Sequence, residues 1–241
     1  MKLYIIRHAQ SENNALWDRT GSSEGRSEDP SLTKIGKRQA AQLARFLSKT
    51  REVRNGDRYD LQNRQGFFLT HIYTSLMVRA VQTGDVIAQA LGMPLLGWAD
   101  LHEEGGIYLD DKETGEKVGL PGKNRAFYER NYPRLVLPED LGEDGWWGCR
   151  PYETEEHSRE RARRVFMELL RRHGETQDRV AWITHGGFYN HFMAVVLGIE
   201  PRHDRWFCIN NGAITRLDFE GDEIALIYQN RLDYLSPGLV T

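Results

Sequence analysis

Three short apolar runs constrain this chain more than any other feature, because each stops abruptly at polar chemistry and is followed by a segment of helical periodicity. Leu3-Tyr4-Ile5-Ile6 stops at Arg7-His8-Ala9-Gln10-Ser11. Phe67 to Tyr73 runs into Thr74-Ser75 with Arg79 one helical turn further on, and Arg179 to Thr184 runs into His185-Gly186-Gly187. Apolar runs of this length read as buried strands. Strands alternating with helices predict an α/β fold, a three-layer sandwich whose mainly parallel central sheet is flanked by helices on both faces. In such a sheet the carboxyl ends of the strands share one edge, and ligands bind in the crevice beyond it. The groups that end the three runs are therefore predicted to converge.

The helices follow from spacing. Thr33 reads as the N-cap of a helix in which Ala40, Leu43, Ala44 and Leu47 line one face, ending near Ser48. Thr74-Ser75 reads as the cap of a second, lined by Ala80, Ile87, Ala88 and Leu91 and ended by Gly92. A short strand is expected at Pro94–Leu96. Ala162, Val165, Phe166, Leu169 and Leu170 mark a later helix, Phe188–Leu197 the last one, and Ile214–Phe219 with Glu223–Tyr228 a terminal hairpin turning at Gly221-Asp222. Glu12–Pro30 reads as a surface loop and Lys49–Gln65 as a solvated, flexible connection. Ala99–Tyr152 is Gly-rich and broken by Pro121, Pro133, Pro138 and Pro151, with a short helix expected around Ala126–Asn131. It is read as an insertion at about 99–152 forming a lid or pocket wall within a single domain, 1–241.

Bulk charge narrows the partners. With 32 basic and 35 acidic residues the net charge is -3, so no global basic field recruits nucleic acid or an anionic membrane. Any anion has to be captured by a local site. No stretch approaches the length of a membrane span, and the apolar run before Arg7 is too short for a signal-peptide core. Cys149 and Cys208 belong to no CxxC motif, so a reducing, cytoplasmic setting is expected.

Arg7, Arg79, His8 and His185 together suit a phosphoryl group, since guanidinium forks match its oxygens and helix N-termini add N–H donors. Gly186 would let the backbone approach closely. Neither a metal nor another cofactor is expected: His102-Glu103 is not followed by His at the HExxH spacing, and no P-loop or Cys/His cluster is present. His71, His102, His157, His173, His191 and His203 are read as structural, with His102 close enough to Glu103 to touch substrate. Ser75 and Thr83 are read as capping or packing, and Gln39 and Ala40 as structural.

Arg7-His8-Ala9-Gln10-Ser11 with Asn14 resembles the signature of the histidine phosphatase superfamily, whose fold is phosphoglycerate-mutase-like. Leu32-Thr33 with Gly36, Gln39 and Ala40 is similar to its second box, and Ser75, Arg79-Ala80 and Gln82-Thr83 to its third. Leu101-x-Glu103 resembles the segment that carries its acid, and Thr184-His185-Gly186-Gly187 its last motif. The matches run in family order through most of the chain. The resemblance implies a metal-independent phosphomonoester hydrolase acting on a small phosphorylated metabolite. His8 would be the nucleophile, Arg7, Arg79 and His185 would neutralise the phosphoryl oxygens, Asn14 would add a hydrogen bond, and Glu103 would be the proton donor.

The chain departs from the family where Ala9 replaces the usual Gly and Gln10 the frequent Glu. Glu104 adjoins Glu103 and is the alternative acid. A phosphoglycerate mutase is the alternative activity, and a non-catalytic phospho-ligand-binding protein a third. Mutases of the family typically follow the acid with Arg-His-Tyr-Gly, whereas here Glu103 precedes Glu104-Gly105-Gly106-Ile107. The substrate walls are expected in Trp17–Pro30 and Ala99–Tyr152, with Lys123 or Arg125 offered to a second anionic group. Trp146-Trp147 is read as either a core plug or a substrate wall.

Overall fold

Leu3 and Ile5 turn to one side of the first strand and Tyr4 and Ile6 to the other, and both pairs are buried, so this strand must be covered on both faces. The computed structural model describes residues 1–50, 60–199 and 204–241. Strand β1 (Lys2–Arg7) is followed by α1 (Glu12–Thr20) and α2 (Lys34–Leu47), then β2 (His71–Thr74), α3 (Val78–Leu91) and β3 (Leu95–Gly97). The long irregular segment holds β4 (Tyr108–Asp110), β5 (Lys117–Gly119), α4 (Arg125–Asn131) and β6 (Leu135–Val136). The chain closes with α5 (Glu155–His173), β7 (Arg179–Thr184), α6 (Gly186–Leu197), β8 (Ile214–Glu220) and β9 (Glu223–Arg231).

Among the described residues the central sheet has seven strands in the order β6-β3-β2-β7-β1-β8-β9. β7 lies between β1 and β2 and pairs in parallel with both, while β8 and β9 are antiparallel. Helices α2 and α3 pack on the face that carries Tyr4, Ile6, Ile72, Ala181 and Ile183. Helices α5 and α6 pack on the face of Leu3, Ile5, Tyr73, Val180 and Trp182. This is the expected α/β sandwich. Each buried aliphatic side chain contributes about 1.5–3 kcal/mol to it.

Several local expectations are corrected. Glu12–Pro30 is not all loop: Ser11 caps α1 through a capping box with Asn14, and Gly21 closes it at φ 64°. The helix buries none of its residues, so hydrophobic periodicity carries no trace of it. The second strand begins at His71 rather than Phe67, because Phe68 sits at φ 50° and the chain is not extended through it. Phe67 instead tucks edge-on against Tyr4 and Phe46, ring centres 5.2 Å apart in each case. Helix α3 starts after Met77 without a side-chain bond from its own cap residue. Asp29, far back in the sequence, supplies the acceptor for the Val78 N–H at 2.9 Å, and Ser75 Oγ takes the Met77 N–H at 3.1 Å.

The charged connection Lys49–Gln65 falls mostly on 51–59, outside the described residues, as does His203. Where it is described it is not all solvated, since Asn63 is buried and donates to the Tyr4 hydroxyl at 2.8 Å. Trp146 and Trp147 join the α2/α3-side core with Ile107, Tyr128 and Leu141, so the core reading of that pair holds. Among the described residues no helix is long and apolar enough to cross a membrane.

Candidate active site

The parallel pairing of β2, β7 and β1 brings their carboxyl ends together. Arg7 and Thr184 are register partners, and the His8 N–H donates to the Thr184 carbonyl at 2.9 Å, so His8 and His185 leave the sheet side by side with ring centres 5.0 Å apart. The His8 Nδ1 lies 2.7 Å from the Ala9 carbonyl, an acceptor, which places the ring proton on Nδ1. Nε2 is then a lone pair, and Arg79 Nε donates to it at 3.1 Å. His8 is buried, and burial first, then the charges of Arg79 and Arg7, hold its imidazole well below its ordinary value, in the neutral form. Burial followed by Arg79 and His8 does the same for His185.

The cations are held from outside the pocket. Arg7 Nη1 donates to the Ile209 carbonyl at 2.6 Å, while its buried Nε has no partner among the described residues. Arg79 stands 3.9 Å from Asp29. Burial pushes the Asp29 carboxyl up to about 6, although Arg79 and the Val78 N–H work against it. His185 Nε2 is 2.9 Å from Ser75 Oγ, and its buried Nδ1 has no partner among the described residues. Unpartnered donors of this kind, beside a lone-pair nitrogen and two guanidiniums, suit a tetrahedral oxyanion.

Of the adjacent acids, Glu103 turns inward. Its Oε1 accepts from the Phe188 N–H at 2.8 Å and from the Glu104 N–H at 3.0 Å, seating it on the N-terminus of α6, and its charge acts on both Arg7 and Arg79. Glu104 passes over Gly187 to His191 Nε2, 3.0 Å away. Close approach falls on Gly187 rather than Gly186. A Cβ at Gly187 would sit 2.5 Å from Glu103 Oε1, whereas one at Gly186 would make an ordinary 3.6 Å contact with Arg7 Nε.

Asn14 reaches the same rim. Its Oδ1 accepts from the Ser11 N–H at 3.1 Å and from Asn211 Nδ2 at 3.2 Å, leaving its own Nδ2 to donate elsewhere. Asn211 also donates to the His8 carbonyl at 3.1 Å. Thr83 Oγ1 accepts from the Ala9 N–H at 3.1 Å, and Gln39 Oε1 from the Gln10 N–H at 2.7 Å, so the loop after β1 is pinned from two helices.

Asp29, Asn211 and Arg161 also support the site, and no local pattern in the sequence singles out Asp29 or Arg161. Asn211 lies in the Asn-Gly turn before β8, the one local signal that was available. Arg161 is buried on α5, clasps Glu153 with Nε and Nη2 at 2.7 and 2.6 Å, and sends Nη1 to the carbonyls of Asp100 and His102 at 2.7 and 2.9 Å. His102 packs between Trp146 and Trp147, with Nδ1 on the Glu103 carbonyl at 2.7 Å. Burial first and then Arg161 bring its value down to about 3. Arg125 is spent on the Leu141 and Pro138 carbonyls at 2.9 and 2.6 Å, which removes it as a holder of a second anion. Lys123 remains half-buried beside Phe127.

An α/β sandwich of this strand order, with two imidazoles and two guanidiniums at the carboxyl edge, is a protein of the phosphoglycerate-mutase-like fold. The chain belongs to the histidine phosphatase superfamily (branch 1), whose model matches residues 3–55 and 61–231. It is an enzyme of the phosphatase type that the family defines.

A relative in Hydrogenobacter thermophilus, named putative phosphoserine phosphatase 2, is 27% identical over 238 residues, covering 96% of each chain. A 2,3-bisphosphoglycerate-dependent phosphoglycerate mutase of Dichelobacter nodosus is 30% identical over 125 residues, 52% of this chain and 41% of that one. The crystal structure of an Entamoeba histolytica phosphoserine phosphatase, in complex with 3-phosphoglyceric acid, superposes with a TM-score of 0.59 at 20% identity, covering 98% of this chain and 99% of that one. A mycobacterial glucosyl-3-phosphoglycerate phosphatase superposes with a TM-score of 0.58 at 18% identity, covering 95% and 98%.

Proposed function

We propose that the protein hydrolyses a small phosphorylated metabolite through a phosphohistidine at His8, without a metal. The observation that carries this reading is the His8 ring itself, with Nδ1 tied to the Ala9 carbonyl and the Nε2 lone pair facing Arg79. In the first step Nε2 bonds to phosphorus, the P–O bond to the alcohol breaks, and Glu103 gives its proton to the departing oxygen. In the second, water attacks phosphorus, the P–N bond breaks, and Glu103 takes the water's proton. Arg7, Arg79, His185 and Asn14 hold the oxygens as charge spreads over them. The helix N-terminus at Gly186 adds N–H donors to the same group. Residues 99–152 wall the pocket as an insertion into the one domain.

The full-length relative named as a phosphatase supports hydrolysis over phosphoryl relocation, as does Glu104-Gly105-Gly106 following the acid. The test is phosphate release from p-nitrophenyl phosphate in excess chelator, by the parent and by His8→Ala, with an acid-stable or acid-labile phosphoenzyme trapped in parallel. Chelator-resistant turnover and an acid-labile adduct, both lost in His8→Ala, support the reading. Turnover surviving without His8 overturns it. Conversion of 3-phosphoglycerate to its isomer, without free phosphate, would instead favour the mutase.

A further inference from the structure

The opposite edge of the sheet gathers a second set of chemistry-bearing groups that the reaction does not use. His71 is the first residue of β2, His173 the last of α5, and Asp178 lies in the turn before β7. One nitrogen from each imidazole and a carboxylate oxygen all fall within 4.8 Å of one another. Both rings present Nδ1 to one carboxylate: His173 Nδ1 is 2.8 Å from Asp178 Oδ2, and His71 Nδ1 is 3.7 Å from Asp178 Oδ1. β7 separates this cluster from His185, so across a six-residue strand the two sites stand roughly 20 Å apart.

We propose that His71, His173 and Asp178 form a binding site for a divalent transition-metal ion of the zinc class, separate from the catalytic pocket.

Two imidazoles and a carboxylate suit zinc, cobalt or nickel rather than the all-oxygen shells of magnesium and calcium. Bonds of about 2.0–2.1 Å in a tetrahedral site set ligand atoms roughly 3.3 Å apart. The two imidazole nitrogens stand 2.8 and 3.7 Å from the two oxygens of one carboxylate, and one atom from each residue falls within 4.8 Å of the others, so side-chain shifts that draw them together complete the site. Thr70 Oγ1, 3.0 Å from His71 Nδ1 and 3.2 Å from Asp178 Oδ1, stands at a fourth position that it or water fills.

The supporting shell is also in place. A ligating imidazole donates its other N–H to an oxygen, and His173 Nε2 lies 3.1 Å from the Tyr73 hydroxyl. Metal on Nδ1 moves the ring proton to Nε2, where Tyr73 accepts it, so the ring changes tautomer without losing a proton. The turn that carries Asp178 is already braced, since Thr176 N and Oγ1 donate to the His173 carbonyl at 3.0 and 2.9 Å and the Asp178 N–H donates to Thr176 Oγ1 at 3.0 Å. The ion would fasten the end of α5 to the starts of β2 and β7.

The experiment is calorimetric titration of Zn²⁺ into untagged, chelator-stripped full-length protein, with Co²⁺ absorption spectra as a second readout. His71→Ala and Asp178→Asn are compared with the parent, and His8→Ala controls for zinc on the catalytic imidazoles. The expected result is one ion per chain, bound at least tenfold more weakly by His71→Ala and equally by His8→Ala, with intense visible cobalt bands in the parent and in His8→Ala but not in His71→Ala. Thermal stabilisation by Zn²⁺ is expected to disappear in His71→Ala, a half-exposed position whose variant keeps parental phosphatase activity and so reports its own folding. Absence of saturable binding in the parent, or undiminished binding in His71→Ala, overturns the proposal.

Discussion

Arg79 Nε donates to His8 Nε2 at 3.1 Å, so the guanidinium rests on the one lone pair of the ring. The other ring nitrogen is committed to the Ala9 carbonyl at 2.7 Å, and a proton added to Nε2 would face a cation. Burial, Arg79 and Arg7 all oppose protonation. His8 is therefore expected to remain neutral as pH falls through 6.5, the value at which a free imidazole titrates. The chemical shifts of its ring protons, followed by NMR and assigned with His8→Ala, check this. A ring titrating at or above 6.5 would contradict it.

Glu103 and Glu104 are neighbours in sequence with opposite commitments, one on the α6 N-terminus and the other on His191. Glu103→Gln keeps the shape and removes the transferable proton, so kcat is expected to fall roughly 10²- to 10⁴-fold. Glu104→Gln is expected to leave kcat within a few fold. Steady-state kinetics of the pair decide it, and equal losses would mean that the acid is shared or misassigned.

Gly187→Ala forces a methyl against Glu103 Oε1, which the Phe188 N–H holds in place. The carboxylate has to leave its donors, at about 1 kcal/mol for a lost hydrogen bond. The larger expected effect is on kcat, because the acid is displaced from the pocket. Gly186→Ala meets only the ordinary contact with Arg7, and Ala favours a helix, so its melting temperature is expected to hold or rise slightly. Calorimetry and kinetics on the two variants separate these effects.

Arg161 and Glu153 are a buried bidentate pair whose guanidinium also lies 4.6 Å from the Phe188 ring. Burial by itself would raise the Glu153 carboxyl, but the Arg161 hydrogen bonds and charge outweigh it and bring it to about 2. Arg161→Met strands that carboxylate and is expected to cost about 3–5 kcal/mol in urea unfolding. Arg161→Met with Glu153→Leu is expected to recover much of the stability but not kcat, because the Asp100 and His102 carbonyls beside Glu103 still lack their donor.

Asp29 titrates at about 6 in the folded protein against an ordinary value of 3.8. Its contribution to stability is therefore complete below about pH 3.8 and lost as pH rises through about 6, where the folded chain has to hold the charged form. The difference corresponds to about 3 kcal/mol. Asp29→Asn keeps the acceptor for Val78 and removes the ionisation, so its stability is expected to fall less than the parent's between pH 4 and 6. Urea midpoints across that range measure the difference, and parallel pH curves would refute it.

Strands β1, β2, β3, β7, β8 and β9, the four long helices and the residues Arg7, His8, Arg79, His185 and Glu103 were legible in the chain, whereas β4, β5 and β6 in the irregular segment were not. Period-two and period-3.6 patterns are local consequences of covering a sheet on two faces, and a strand that stops at a charged pair marks the sheet edge wherever it lies. Local patterns along the chain therefore carry the α/β class and the groups that end the three parallel strands. The remaining choices depend on residues distant in the chain. Asp29 caps α3 from 49 positions away, Asn211 ties Asn14 to the His8 backbone, and Gly187 and His191 sort Glu103 from Glu104. Helix α1 escaped notice because it buries nothing, and the second strand began late because Phe68 turns into the left-handed region. A hydrogen bond or a close contact is fixed by distance in space, and where the chain folds back on itself the spacing along it carries no record of that distance.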